Sequence, residues 1–363
     1  LVSQKTLCTL CAPCFKKDYM NKAIKIGTRG SPLALVQAHM VRDKLLATDP
    51  DLSFEIVKIK TSGDWKSSDG ETRLSSSEGG KGLFAKEIEK ALLDGDIDAG
   101  VHSMKDMDST LPDGLVIDCM LEREDARDAL LIGRRAGQHK NNIADYSQLK
   151  SNVFDALPQG TVVGTASVRR GAFLLSVRPD LKIVPTRGNV QTRIDKIRGA
   201  HPSLENFQDH EKPSCTILAM AGLNRLGISD AVDVILEPEV MLPAAGQGAV
   251  GVQVRSNDSN MIAAFSRISC ETTVACVKSE REILRILDGS CHTPIGAYAI
   301  IENDELWVRA KVASLDGHQV FEDETRVKLN SSQNIIDLGI ETGRTLGERL
   351  KAQIPQALLE QKL

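Results

Sequence analysis

From Ala23 onward, short apolar runs are followed by glycine-containing turns and then by apolar residues at helical spacing. Ile24 and Ile26 alternate with lysines, which predicts a strand, and Gly27-Thr28-Arg29-Gly30 follows as a turn. Ser31 then reads as a helix N-cap and Pro32 as the first helical residue. Leu33, Val36, Met40 and Leu45 keep the helical period up to Asp49-Pro50. Phe54 to Lys60 predicts the next strand. The polar Gly/Ser-rich stretch 62–82 is too long for a simple connector, and Leu83, Ile88 and Leu92 then line one face of a helix ending at Gly95.

The same strand–turn–helix unit recurs without being a sequence repeat. Val162-Val163 leads into Gly164-Thr165-Ala166 and a capping Ser167; Ile183-Val184 leads into Thr186-Arg187-Gly188 and a capping Asn189. This alternation predicts α/β domains with largely parallel sheets. Beyond Cys270 the pattern changes. Cys270 to Leu287 predicts a helix, Glu305–Lys311 and Gln319–Lys328 predict strands around a Leu315-Asp316-Gly317 turn, and Ile335 to Lys351 predicts a closing helix. That is a small α+β domain with an antiparallel sheet.

A chain of 363 residues calls for two or three domains. Its 41% hydrophobic and 26% charged residues exclude a disordered or fibrous class. No run approaches the roughly 18 apolar residues of a membrane-spanning helix. A net charge of −4 and 4% aromatics disfavour nucleic acid as the partner. The eight cysteines are too scattered for a disulfide scaffold. Cys8, Cys11 and Cys14 form a C-x-x-C-x-x-C run, but Phe15-Lys16-Lys17-Asp18 stands where a ferredoxin-type site needs a fourth cysteine and proline. No metal is expected. Residues 1–19 read as a leader outside the fold, with Met20 just before the first strand.

Charge becomes informative at the strand–helix junctions. Arg29 precedes the first cap, Arg169 and Arg170 follow Ser167, and Arg187 and Arg193 flank Asn189. Cations at helix N-termini oppose the helix dipole, so several of them at one kind of junction imply a purpose. In open α/β sheets these junctions share the carboxyl edge, where ligands bind. Guanidinium forks and backbone N–H groups there suit several carboxylates or phosphates. For any single arginine, a surface pair with an exposed acid is an equal reading.

Nucleotide motifs do not survive inspection. Gly79-Gly80-Lys81-Gly82 lacks the Ser or Thr of a phosphate loop, and Gly246-Gln247-Gly248-Ala249-Val250-Gly251 runs into an alternating strand instead of a helix. Two other segments carry reactive side chains. Val101-His102-Ser103-Met104-Lys105-Asp106 ends a buried run with a carboxylate beside a lysine, although on spacing alone Asp106 is more simply a helix cap. Asp288-Gly289-Ser290-Cys291-His292-Thr293-Pro294 holds a cysteine beside an imidazole in a turn-rich loop, although free cysteines are more often packing residues.

In their order and spacing these segments resemble the porphobilinogen deaminase family. The resemblance runs from Ala23 to the C-terminal helix. It rests on Gly27 to Ala34, Gly80 to Phe84, Val101 to Asp106, Gly164 to Arg170, Arg187 to Val190, Leu242-Pro243-Ala244, Gly246 to Ala249, and Cys291 before Pro294-Ile295-Gly296.

The resemblance implies an α/β fold of two periplasmic-binding-protein-like lobes with a central active cleft, plus a small C-terminal α+β domain. The corresponding limits are 20–121 with 243–266 for domain 1, 122–242 for domain 2 and 270–363 for domain 3. It implies an enzyme, a transferase of tetrapyrrole synthesis, that condenses four porphobilinogen molecules head to tail with loss of ammonia. Hydrolysis then frees linear hydroxymethylbilane. It implies one covalent dipyrromethane cofactor per chain, held by a thioether to Cys291. Asp106 is then the catalytic carboxylate. Arg29, Ser31, Lys81, Ser103, Lys105, Thr165, Ser167, Arg169, Arg170, Arg187, Gly188, Arg193 and Gln247 bind cofactor and substrate. Porphobilinogen is the small-molecule partner, with no nucleic acid and no membrane, and the chain is expected to be a monomer.

Some positions depart from the family pattern. Ala166-Ser167 stands where members often have two serines, and Ser77 where several carry a second lysine. The polar stretches 134–152 and 201–213 look longer than bacterial relatives require and read as surface loops. The rival reading is a non-catalytic anion-binding protein on the same two-lobed scaffold, which would need neither Cys291 nor Asp106. The cytoplasm is the expected compartment, with a plastid or other organelle the alternative if 1–19 belong to a targeting leader.

Overall fold

The computed structural model describes residues 22–62, 84–133, 153–206, 208, 212–288, 293–330 and 332–359. The first lobe opens with β1 (Ile24–Arg29), α1 (Pro32–Thr48), β2 (Phe54–Ile59), α2 (Lys86–Leu93), β3 (Ala99–Ser103) and β4 (Leu115–Met120). The chain then crosses to a second lobe. It contains β5 (Asp128–Ile132), β6 (Val162–Gly164), α3 (Val168–Val177), β7 (Lys182–Val184), α4 (Val190–Ile197), β8 (Cys215–Ala219), α5 (Met220–Arg225) and β9 (Val234–Leu236). A second crossing returns it to the first lobe as β10 (Val250–Arg255) and α6 (Ser259–Ser266).

The two sheets share one plan. In the first lobe the order is β2-β1-β3-β10-β4, with β1 parallel to β2 and β3, and β10 antiparallel to β3 and β4. In the second it is β7-β6-β8-β5-β9, with β6 parallel to β7 and β8, and β5 antiparallel to β8 and β9. The sheets are therefore less uniformly parallel than the strand–helix alternation predicts. In each, an antiparallel strand laid down after a crossing is inserted beside the parallel trio. That pairing is long-range, so local periodicity does not contain it.

The three predicted caps form. Ser31 Oγ accepts from Ala34 N at 3.3 Å, Ser167 Oγ from Arg170 N at 3.4 Å, and Asn189 Oδ1 from Thr192 N at 2.9 Å. Each stops the backbone turning helically before the first turn, so the preceding strand ends at a defined point. None of α1, α3 and α4 has an acid in its first turn, so beyond the single N–H that each cap satisfies, the positive end of each helix dipole meets no first-turn carboxylate.

The third domain is α7 (Glu271–Ile286), an antiparallel sheet β11 (Ile295–Glu302), β12 (Glu305–Ala313) and β13 (Val320–Lys328), then α8 (Ile335–Gln353) and α9 (Gln356–Leu359). One sheet face presents Leu306, Val308, Ala310 and Val312 to Ile283, Leu346 and Leu350 of the helices. The predicted antiparallel α+β domain is present, with β11 an additional strand.

The third domain is clipped to the crossings by a buried ion pair. Arg123 Nη1 and Nη2 meet Glu280 Oε1 and Oε2 at 2.7 and 3.1 Å, and Arg123 also donates to Gln247 O at 2.9 Å and Ala299 O at 3.2 Å. Glu280, fully buried, further accepts from Gly246 N at 2.6 Å and Ala299 N at 2.7 Å. Gly246 and Gly248 allow this close passage. Both have positive φ, 73° and 88°, and a Cβ at Gly246 would lie 2.8 Å from Met104 Cβ. The G-x-G sequence is thus a crossing point, followed by a strand as expected.

Candidate active site

The carboxyl ends of β1, β3, β6, β7 and β8 open on one cleft of about 770 Å³ between the lobes. The first lobe contributes Arg29, Ser31, Ser103, Lys105 and Asp106 to its wall. The second contributes Ser167, Arg169, Arg170, Arg187, Gly188 and Arg193, and the second crossing contributes Gln247. The junction arginines therefore converge from both lobes, as their placement at strand–helix junctions predicts. Thr165 stands behind this wall: it is buried, and its Oγ1 accepts from Ser167 N at 3.1 Å. Lys81 and Cys291 lie outside the described residues.

Arg169 and Arg170 share one carboxylate, that of Asp128, which no local pattern marks out. Arg169 Nη2 reaches Asp128 Oδ2 at 2.8 Å and Arg170 Nη2 reaches Asp128 Oδ1 at 2.7 Å. Their other terminal nitrogens donate to Leu242 O at 2.6 Å and Ile217 O at 2.8 Å. Gln247 Nε2 adds bonds to Asp128 Oδ1 at 2.9 Å and Ala126 O at 2.7 Å. Burial alone would raise the Asp128 carboxyl. The two adjacent guanidiniums and their hydrogen bonds override it and hold the group well below the usual carboxylate range. Two cations around one anion leave an excess positive charge on the cleft wall.

The other cations are also held by the fold. Arg29 lies over the Phe84 ring, 4.1 Å from its centroid. Arg193 Nε donates to Gly188 O at 2.9 Å, and the buried Lys196 donates from Nζ to Arg187 O at 2.9 Å. Gly188 has φ 109°, and a Cβ there would meet Thr192 Cγ2 at 2.5 Å, so this tight loop requires glycine. Arg225, at the end of α5, is absent from the sequence-derived set, yet it lines the cleft and donates to Gly248 O at 2.7 Å. A cation at a helix C-terminus agrees with the dipole, so nothing about its position stands out in the sequence.

Asp106 closes a 3₁₀ turn over Met104–Asp106 at the end of β3. It caps no helix through its side chain; it faces the cleft beside Lys105. Burial pushes the Lys105 ammonium down to about 8, and Arg170 adds to the shift while Asp106 and Asp128 oppose it. His102, the other reactive side chain of this segment, is buried away from the cleft. Burial lowers its imidazole to about 4, which keeps it neutral. Cys119, Cys215 and Cys276 are packing residues, their thiols pushed up to about 12 by burial.

The donor set fits a ligand rich in carboxylates. The Nε atoms of Arg169, Arg170 and Arg225 are buried at the cleft wall without a hydrogen-bond partner among the described residues. Unsatisfied charged donors are costly unless a ligand reorganises around them. The third domain also reaches the cleft through Leu284 on α7 and through Thr293 and Ile295, just beyond Cys291.

Comparison with known proteins agrees with this geometry. A family model described as "Porphobilinogen deaminase, dipyromethane cofactor binding domain" matches residues 24–263, and one described as "Porphobilinogen deaminase, C-terminal domain" matches 274–351. The porphobilinogen deaminase of Bacillus pumilus is 43% identical over 302 residues, covering 83% of this chain and 87% of that protein. The chloroplastic porphobilinogen deaminase of Oryza sativa subsp. japonica is 41% identical over 335 residues, covering 91% and 84%. That of Alkaliphilus metalliredigens is 39% identical over 328 residues, covering 90% and 93%.

Proposed function

The chain belongs to the porphobilinogen deaminase family, and we propose that the cleft between its lobes is where that family's reaction takes place, with Asp106 as the catalytic carboxylate. The protein is an enzyme of tetrapyrrole biosynthesis that condenses porphobilinogen stepwise, head to tail, with release of ammonia and then of linear hydroxymethylbilane. In reaction class it is a transferase. A non-catalytic anion-binding role on the same scaffold is not favoured.

The observation that carries the reading is the convergence of cations from both lobes on the wall that also presents Asp106. Each pyrrole ring carries an acetate and a propionate, so a lengthening chain accumulates negative charge. Arg29, Lys105, Arg169, Arg170, Arg187 and Arg193 meet that charge, aided by Ser31, Ser103, Ser167 and the backbone N–H groups at the starts of α1, α3 and α4. Gln247 and Thr165 keep this wall in register, the first through Asp128 and the second through Ser167.

The cofactor is a dipyrromethane; when bound, it supplies the pyrrole carbon from which the new chain grows. Cys291 is its attachment point, supported by the lining positions of Thr293 and Ile295 immediately after it. Lys81 joins the binding set by its motif. Loss of ammonia from porphobilinogen leaves an electron-poor methylene pyrrole. The Asp106 carboxylate stabilises the positive charge near the ring N–H and accepts the proton released when the new bond forms. Lys105 beside it orients a substrate carboxylate.

We take the domain limits as 20–121 with 243–266, 122–242 and 270–363, a division supported by the two crossings between the lobes and by the start of α7 at Glu271. No described helix is long and apolar enough to cross a membrane. We place the enzyme as a monomer in the cytoplasm, with a plastid the alternative because one relative is chloroplastic. Intact-mass measurement of the purified protein tests the whole reading. A covalent adduct of dipyrromethane mass that disappears in Cys291→Ser is expected; an unmodified wild-type chain would sink it.

A further inference from the structure

Met104 N donates to Ala249 O at 3.0 Å, so the second crossing holds the start of the turn that carries Asp106. The end of the turn is held from the third domain. Arg281 of α7 donates from Nη1 to Met107 O at 3.1 Å and from Nη2 to Asp108 O. Asp106 lies between the two anchors.

Arg281 is an expensive way to make this contact. No carboxylate forms an ion pair with it among the described residues. Burial lowers its guanidinium to about 10, and the neighbouring Asp108 charge offsets only part of that shift. An apolar residue could pack α7 against the turn without desolvating a cation. What a guanidinium adds is geometry. Its planar fork engages two successive carbonyls at once, which fixes both the distance and the rotation of the turn relative to the helix. The same helix presents Leu284 to the cleft and leads into the segment holding Cys291.

We propose that Arg281 is a positioning residue for the reaction: it locks the Asp106 turn in register with the third domain, which bears the cofactor cysteine. The proposal rests on the assignment of Asp106 as the catalytic carboxylate. It assigns to α7 a task beyond the core of its own domain, namely setting where the carboxylate stands relative to the tethered end of the growing chain.

The test compares Arg281→Met and Arg281→Lys in the wild-type and Asp106→Asn backgrounds, reading kcat, KM, thermal midpoint and adduct mass. For Arg281→Met we expect the adduct to be retained, KM to stay within about twofold, and kcat to fall about ten- to a hundredfold. Arg281→Lys, which keeps the charge and one donor, falls between. In the Asp106→Asn background the same change lowers kcat by less than about twofold, because the group it positions is already gone. Unchanged kcat in Arg281→Met overturns the proposal, and so does an equal loss in both backgrounds, which would mark a purely structural contact. If the Met variant does not fold, the Lys variant decides by the same comparison. Normal turnover in Asp106→Asn alone overturns the Asp106 assignment itself, a result separable from the other two.

Discussion

Gln247 Nε2 stands 2.9 Å from Asp128 Oδ1, so the second crossing is bonded to the carboxylate that gathers Arg169 and Arg170 on the facing lobe. The cation cluster and the second crossing between the lobes are one hydrogen-bonded unit. Any relative movement of the lobes has to carry this unit with one side or break it.

Asp128→Asn therefore leaves two buried guanidiniums facing each other without their anion. Removing one partner of a buried ionic group costs about 3–5 kcal/mol. We expect a clear fall in thermal midpoint and poor retention of the adduct by intact mass. The acid dependence follows from the sign of the shift. The folded carboxyl titrates below the roughly 3.9 of an unfolded aspartate, so its contribution is complete above about pH 4 and is lost as pH falls through the depressed value. The stability gap between wild type and variant should be constant from about pH 5 to 8 and should narrow only below about pH 4. A gap that persists unchanged in acid would mean that the asparagine harms something other than this charge.

Lys105, pushed down to about 8, predicts an alkaline effect on substrate binding. Below that pH the ammonium is charged and attracts a substrate carboxylate; above it the charge is lost. KM for porphobilinogen should rise as pH passes from about 7 to 9. In Lys105→Arg, whose guanidinium stays charged throughout, that rise should flatten. Parallel profiles for the two enzymes would remove Lys105 from the binding set.

Which parts of this site were legible depends on how far each interaction reaches along the chain. Ser31, Ser167 and Asn189 bond to N–H groups three residues on, so their caps can be read locally. The arginines beside them stood out because they oppose the helix dipole. Asp128 could not be read this way. It opens an apolar run that looks like an ordinary strand, and its partners lie 41 and 42 residues away. Arg225 was hidden for the opposite reason, since a cation ending a helix breaks no rule. β11 does not announce itself locally because Ile295 to Ile301 lacks the polar alternation of an exposed strand; Ala297 and Ala299 are buried in the third-domain core. His102 shows the converse: its neighbours Ser103, Lys105 and Asp106 line the cleft while His102 itself is buried and takes no part in the wall. Alternation across a strand sends adjacent side chains to opposite faces, and a motif read as a string does not show which face is which.

Glu280 tests the clip between the third domain and the crossings. It accepts from Arg123, Gly246 N and Ala299 N at once. Glu280→Gln keeps the shape but strands the Arg123 charge and turns one acceptor into a donor facing other donors. We expect a loss of about 3–5 kcal/mol in urea unfolding monitored by tryptophan fluorescence, with Trp307 reporting from the third-domain sheet. A loss below about 1 kcal/mol would show that solvent or rearrangement satisfies Arg123 without the carboxylate.

Asp106→Asn separates binding from chemistry. The substitution keeps size and leaves the 3₁₀ turn intact, because that turn is closed by Met107 N to Met104 O and not by the Asp106 side chain. The cation wall of the second lobe is untouched, since Asp128 supplies its internal anion. The variant should therefore fold, keep its adduct and bind porphobilinogen with KM near that of the wild type. What it lacks is a fixed negative charge and a proton acceptor at the ring N–H when ammonia leaves. Loss of a positioned general base or charge stabiliser costs about two to four orders of magnitude in kcat. Steady-state assays of hydroxymethylbilane formation would show the drop, with intact mass run on the same preparation to establish that the cofactor is present. Turnover within a few-fold of wild type, with the adduct in place, would mean that the positive charge is stabilised by another group, and Asp106 would lose its assigned role.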